Sequence, residues 1–226
     1  MKKLGYLALC LMMLLCGCSS AHSGTYDKEA MGFRDDDTGI EYVACNVYAV
    51  KPIDLGEVYC QVDGLPYYEI PFQKPSDYLC DLDPQSGSSY VYRNKSLPAI
   101  TAASFDAIAA WLYIDGETPV RAATLYADDK YLDESLRGQN DSQDTDKVKM
   151  ITKAITEGEH VSVSMADSDK NDEYEFRLLS NKYPGLYYSV WVFSDAFGKY
   201  YLHDYVSDKT VVAPSEISAW IVGNKA

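Results

Sequence analysis

The last third of the chain alternates. Tyr174, Phe176 and Leu178 are separated by Glu175 and Arg177, and Val161, Val163 and Met165 are interleaved with His160, Ser162 and Ser164. A period of two sends successive side chains to opposite faces, so both segments predict half-buried β-strands. Leu186 to Phe193 and Lys199 to Val206, dense in aromatic and β-branched residues, read as two more strands of the same meander. Asp195-Ala196-Phe197-Gly198 joins them, and Gly198 can take the positive φ such a turn needs. If these four residues set the register, Tyr187, Trp191, Phe193 and Tyr200 share one sheet face with Asp204 at its edge. Tyr188, Tyr201, His203 and Tyr205 then share the other.

A sheet with aromatic residues on both faces needs cover on at least one. Two helices can supply it. Val148, Ile151 and Ile155 fall on one helical face, with Asp144 or Thr145 to cap, Asp146 at the positive dipole end and Gly158 to stop. Pro214 at a first helical position, Ile217, Trp220 and Ile221 on one face and Gly223 beyond describe a short closing helix. If the second sheet face stays open, Tyr187, Trp191, Tyr200 and Asp204 form a flat platform with polar tips, suited to sugar rings or a protein partner. The competing reading of the same tyrosines, 20 in the chain, is core packing and strand preference.

Upstream, Tyr42 to Val50 is a strand-like run, 51–56 interrupts it, and Glu57 to Val62 reads as the returning strand. A hairpin centred between Pro52 and Ile53 sets Cys45 opposite Cys60, which makes 45–60 the expected disulfide and leaves Cys80 free; three thiols are the alternative. Pro66, Pro71, Pro75 and Pro84 confine the next stretch to short or edge strands, the best being Tyr67–Ile70 and Ser88–Arg93. Phe105 to Ile114 is ambiguous, because alanines at 107, 109 and 110 tolerate a helix. Its Trp111–Ile114 end, the turn Asp115–Pro119 and a second apolar run from Val120 to Ala127 favour a hairpin. The expected fold is α+β: a mainly antiparallel sheet of hairpins and a C-terminal meander, with about two helices packed on it. It forms one domain over 40–226, with a possible split in the polar stretch 136–146.

The N-terminus carries a separate signal. Lys2 and Lys3 precede an apolar run from Leu4 to Leu15, which ends in Leu15-Cys16-Gly17-Cys18 followed by Ser19-Ser20. The run is too short to span a bilayer comfortably. The segment resembles the lipobox of bacterial membrane lipoproteins, with Leu at −3, Gly at −1 and the cysteine; Cys16 stands at −2, where that family prefers Ser, Ala or Thr. The resemblance implies that 1–17 is a signal peptide cut before Cys18, and that Cys18 carries palmitate-type acyl chains. The protein would then sit on the extracytoplasmic face of a cell membrane. Two or more chains hold far better than one, since each buried methylene adds about 0.8 kcal/mol. Ser19 is not the Asp that marks inner-membrane retention in some such proteins. The polar residues 18–39 read as a flexible tether.

Composition narrows the partners. The formal net charge is −14, and removal of Lys2 and Lys3 would make the mature chain more acidic still. Such a surface repels phosphate backbones, which argues against nucleic acid and leaves membrane attachment to the lipid. Residues 167–172 begin like a calcium loop, but Asp172 stands where Gly is needed and Leu178 where the bidentate Glu belongs. Ser86-Gly87-Ser88-Ser89 lacks the GxSxG context of a hydrolase nucleophile. The histidines are His22, His160 and His203; Cys80 with His203 is the one nucleophile–base pair that can be drawn. There is no CxxC pair and no phosphate loop, so neither metal nor cofactor is expected. The expectation is a non-enzymatic binding module of the bacterial envelope, with a protein or glycan partner. The alternatives are an envelope hydrolase with unidentified residues, or a glycan-binding accessory domain.

Overall fold

The computed structural model describes residues 21–49, 55–82, 89–114, 118–124, 145–163 and 174–223; of 118, 119, 121–124 and 145 it gives the backbone alone. The strands are β1 (His22–Asp27), β2 (Gly32–Asp35), β3 (Glu41–Ala49), β4 (Val58–Val62), β5 (Leu65–Glu69), β6 (Tyr78–Cys80) and β7 (Tyr90–Asn94). They continue with β8 (Ala109–Ile114), β9 (Thr118–Thr124), β10 (Tyr174–Leu179), β11 (Leu186–Ser194), β12 (Tyr200–Asp204) and β13 (Lys209–Val212). Three helices accompany them: α1 (Ala102–Phe105), α2 (Thr145–Glu157) and α3 (Ser215–Val222). The class is therefore mainly β, and the α+β expectation holds only in its antiparallel hairpins and its two longer helices.

The first seven strands close on themselves in the order β1-β4-β5-β6-β7-β3-β2, back to β1. The barrel is mixed because β1 runs parallel to β4. Phe33, Tyr42, Cys60, Val62, Tyr67 and Leu79 fill it, with Tyr92 packed against them. Closure explains why β1 and β2 were read as tether. Gly32 stands where a Cβ would lie 1.9 Å from the carbonyl oxygen of Tyr42, so the wall is drawn tight by the lack of a side chain. The inward row of the hairpin is Gly24, Tyr26, Phe33 and Asp35, and a Cβ on Gly24 would lie 2.9 Å from Val62, so the closing hairpin carries no apolar period. Residues 22–35 are structured strands, and the expected tether over 18–39 is corrected accordingly.

The Cys45–Cys60 hairpin is also corrected. β3 pairs with β2, β7 and β11, while β4 pairs with β1 and β5, so the two cysteines lie on strands that are not neighbours. Cys45, Cys60 and Cys80, the cysteines among the described residues, are free. The competing turn is Asp63-Gly64, both residues at positive φ, which folds β4 onto β5. An Asp-Gly pair between strand-like runs is the stronger hairpin signal. Cys45 and Cys80 flank Val91 across three strands, a spacing of about 10 Å that no disulfide bridges.

β3 leaves the barrel at an irregularity between Cys45 and Tyr48, and beyond it Val47–Ala49 pairs with β11. From there the outer sheet runs β11-β10-β8-β9, with β12 and β13 on the distal half of β11. One face packs on the helices: Leu112, Phe176, Leu178, Tyr188, Val190 and Leu202 join Val148, Ile151, Ile155, Ile217 and Ile221 in one core. Phe176 stacks on Trp220 at 5.6 Å. The Lys209 ammonium donates to the carbonyls of Ile155 and Thr156, closing the last turn of α2. Both expected helices and the β8–β9 hairpin are found. Of the expected strand at Val161–Met165, residues 161–163 are irregular and are held to β13 by the Val161 N–H on Thr210 O, and 164 and 165 lie outside the described residues.

Candidate functional site

The β11–β12 turn decides what the open sheet face presents. Asp195 closes it against Lys199, its N–H donating to the Lys199 carbonyl while Gly198 N–H donates back to Asp195 O. The Asp195 carboxylate accepts from the N–H groups of Phe197 and Lys199 and from the Tyr201 hydroxyl. Asp195 thus belongs to the ladder, three residues form the loop, and Ser194 pairs with Tyr200. A one-residue slip moves every side chain of a strand to the other face. Trp191 therefore shares its face with His203, and Phe193 with Tyr201. Tyr200 and Asp204 lie on the helix-covered side, where Asp204 accepts a 2.6 Å hydrogen bond from the buried Tyr188 hydroxyl. The expected grouping of Tyr187, Trp191, Tyr200 and Asp204 is corrected: only Tyr187 and Trp191 remain together.

Cross-strand pairing arranges the face away from the helices in rows. The first runs Ala109, Leu179, Tyr187, Tyr48, Tyr90 across five strands. The second is Trp111, Arg177, Ser189. The third is Tyr113, Glu175, Trp191, His203, Thr210. Charge sits at the centre. Glu175 accepts from Ser189 Oγ at 2.6 Å and from Arg177 Nε at 2.8 Å. The Arg177 guanidinium lies 3.9 Å from the Tyr113 ring centroid and 4.7 Å from that of Tyr187. Burial opposes its charge, but Tyr187 and Glu175 outweigh that and hold it protonated more firmly than usual. Glu175 and Arg177, read as the solvated side of a half-buried strand, are instead an ion pair 8% and 20% exposed. Beside them the Trp111 indole N–H is buried without a hydrogen-bond partner.

Around this centre the rings come up to solvent. Tyr90 and Tyr205 keep 47% and 40% of their surface, whereas Tyr187 keeps 8% and forms the floor. Tyr48 stacks on Tyr187 at 5.3 Å and meets Tyr90 at 5.7 Å; Trp191 meets Tyr205 edge-on at 6.0 Å. Burial, then Tyr90, Glu175 and Tyr205, push the Tyr48 hydroxyl up to about 12, which places those four groups in one neighbourhood. The Asn46 amide donates to Tyr205 O and ties β3 to the end of β12. The result is a half-open patch of Tyr48, Tyr90, Trp191 and Tyr205 over an acid–base pair. Tyr48 and Tyr90 escape the sequence reading because their row depends on the β3–β11 pairing, a contact between distant parts of the chain, while the one-residue shift at the β11–β12 turn brings Tyr205 to the face of Trp191.

The other candidates fall elsewhere. Burial pushes the thiols of Cys45, Cys60 and Cys80 each up to about 12, so none is a ready thiolate. His203 Nδ1 is bonded to Thr210 Oγ1, and burial first of all lowers its pKa. Cys80 faces the helix-side core instead, so the Cys80–His203 pair does not form. His160 Nδ1 accepts from the Thr210 N–H. Cys18, the calcium-like segment 167–172 and residues 86–88 lie outside the described residues. A hollow of about 580 Å³ lies along β1–β3, lined among others by Thr25, Arg34, Asp36, Glu41 and Lys95. Its charges are exposed and partly paired, Glu41 with Lys95 at 2.7 Å, so it offers a ligand little desolvated surface. Comparison with protein-family models, with curated proteins and with solved structures finds no match for this chain.

Proposed function

We propose that the protein is a lipid-anchored binding module of a bacterial envelope. Acylated Cys18 holds it on the extracytoplasmic side, and the patch of Tyr48, Tyr90, Trp191 and Tyr205 receives a glycan of the envelope. The observation that carries the ligand assignment is the alternation of ring faces with fixed polar groups. Trp191 and the buried floor residue Tyr187 stand four residues apart on β11, about 13 Å along the strand, with Ser189 and Arg177 in the row between them and Glu175 opposite Trp191. The exposed rings of Tyr90 and Tyr205 take the C–H side of a sugar ring, and the hydroxyls at their tips take its hydroxyl edge. The anchor rests on the lipobox-type segment ending at Cys18. Metabolic labelling with an alkyne-bearing fatty acid tests it: wild-type chain takes up label and Cys18→Ser does not, and label on both would refute the anchor. Retention of the full chain, in detergent, on envelope glycan fragments tests the ligand. Loss of retention in Trp191→Ala supports a glycan site; retention of an envelope protein instead of glycan refutes the sugar assignment.

A further inference from the structure

The open end of the β1–β2 hairpin gathers a histidine and two carboxylates. Gly24 pairs with Asp35 and the Asp36 N–H donates to Ser23 O, so the ladder continues to bring His22 opposite Asp37. Residues two apart in a strand share a face. His22, Asp35 and Asp37 therefore converge, while Asp36 turns to the other side, where it accepts from Thr25 Oγ1. One ligand atom from each of the three lies within 4.8 Å of the others, and His22 Nδ1 is 2.9 Å from Asp35 Oδ2. The ring of Tyr59 lies 4.5 Å from the imidazole and restricts its orientation. The Ser23 N–H holds one Asp37 oxygen at 2.9 Å.

Charge supplies an independent reason. The Asp35 side chain has no exposed surface, and among the described residues neither lysine nor arginine pairs with it. Its remaining donors are neutral: Thr38 Oγ1 and the N–H groups of Asp37 and Thr38. These bonds fix the buried carboxylate as an anionic donor, and with Asp37 beside it two carboxylates and an imidazole face one small space. Arg34, which directly precedes Asp35 in sequence, lies in the outer row with Thr25 and Glu41.

We propose that His22, Asp35 and Asp37 form a divalent-metal site of one nitrogen and two carboxylate ligands, with water completing the shell. An imidazole with two carboxylates suits Zn²⁺, whereas Ca²⁺ prefers oxygen donors throughout. Such an ion would fasten the first residue of β1 to the β2–β3 turn, a few residues beyond Cys18.

The test is a Zn²⁺ titration of the tag-free full chain in detergent, by calorimetry and by competition with a chromophoric chelator. The site predicts one Zn²⁺ per chain, with affinity reduced at least tenfold in His22→Ala and in Asp37→Asn and unchanged in Asp36→Asn. Co²⁺ in place of zinc should give a visible absorption band that His22→Ala abolishes. Both ligands chosen for substitution reach the surface, and unchanged melting without metal confirms that the variants fold. Three results would each overturn the site: no stoichiometric binding by the wild type, equal binding by His22→Ala, or equal losses in Asp36→Asn and Asp37→Asn. The last would mean an adventitious ion on an acidic surface.

Discussion

Inside the barrel Phe33 lies 4.2 Å from Tyr67, 4.9 Å from Tyr42 and 5.6 Å from Tyr92, ring against ring, with no charge among them. Across the outer sheet Tyr113 and Tyr187 instead enclose a guanidinium, and Tyr48 joins them beside a carboxylate. The barrel sends its hydroxyls out to its ends, Tyr42 to Pro75 O and Tyr92 to the Asp81 carboxylate. The sheet keeps its polar groups in the middle of the face. A closed wall excludes water from every side, so contact between rings suffices. A single sheet face with solvent at its rim can afford buried charge only where Glu175, Arg177 and Ser189 satisfy one another. Tyrosine count is therefore no guide to role; what lies between the rings is.

Substitutions that act on one region and not the other test this contrast. Phe33→Ala removes the ring that touches three others and should cost about 3–5 kcal/mol, read as a lower denaturant midpoint. No second substitution on the outer sheet should restore it. Glu175→Ala removes the carboxylate that lies 2.8 Å from Arg177 Nε and should cost about 3 kcal/mol. Here a partner change does help: Glu175→Leu with Arg177→Met should recover most of the loss, because the charge left behind is the penalty. Equal costs for the single and double variants would show that the pair acts as shape and not as charge.

A weaker effect comes from His203, on the sheet face beside Trp191. Burial first of all, with His160 adding to it, lowers its pKa below the ordinary imidazole value of 6.5 against the opposing pull of Asp208 and Asp204. The unfolded chain then takes up the proton more readily than the folded one. The contribution of His203 is complete above about pH 6.5 and is lost as pH falls toward the depressed folded value. Melting temperatures should decline on acidification through this window in the wild type and decline less in His203→Gln. An identical slope in the variant would remove His203 from the account.

Much of the outer sheet was legible because its signals are local. Val148, Ile151 and Ile155 repeat at helical spacing and are all buried, and the β8–β9 turn is marked by Gly116 and Pro119. The barrel was not legible. Its closure depends on β1 running parallel to β4 and on β2 returning to β3, contacts that no short window contains. Gly24 and Asp35 on the inward row remove the apolar period from the closing hairpin. Asp63-Gly64 was a local signal that should have displaced the 45–60 hairpin, since its positive φ values bind β4 to β5 and not to β3. The aromatic platform failed by one residue: Asp195 is a ladder residue that also organises its turn through its carboxylate, and composition alone does not distinguish that from a loop residue. The His22–Asp35–Asp37 set is hidden in the sequence for the same reason as the barrel, because it depends on the pairing of β1 with β2.

The central claim is that the half-open tyrosine patch is the surface that binds. The most direct measurement compares retention of the detergent-solubilised full chain and its Trp191→Ala and Tyr205→Ala variants on glycan fragments of the envelope, with Phe197→Ala as control. Phe197 is 95% exposed at the tip of the β11–β12 loop and lies outside the patch. The account predicts that wild type and Phe197→Ala are retained alike, while Trp191→Ala and Tyr205→Ala lose at least tenfold in affinity with unchanged melting. Equal retention of all four proteins, or none by the wild type, would contradict it.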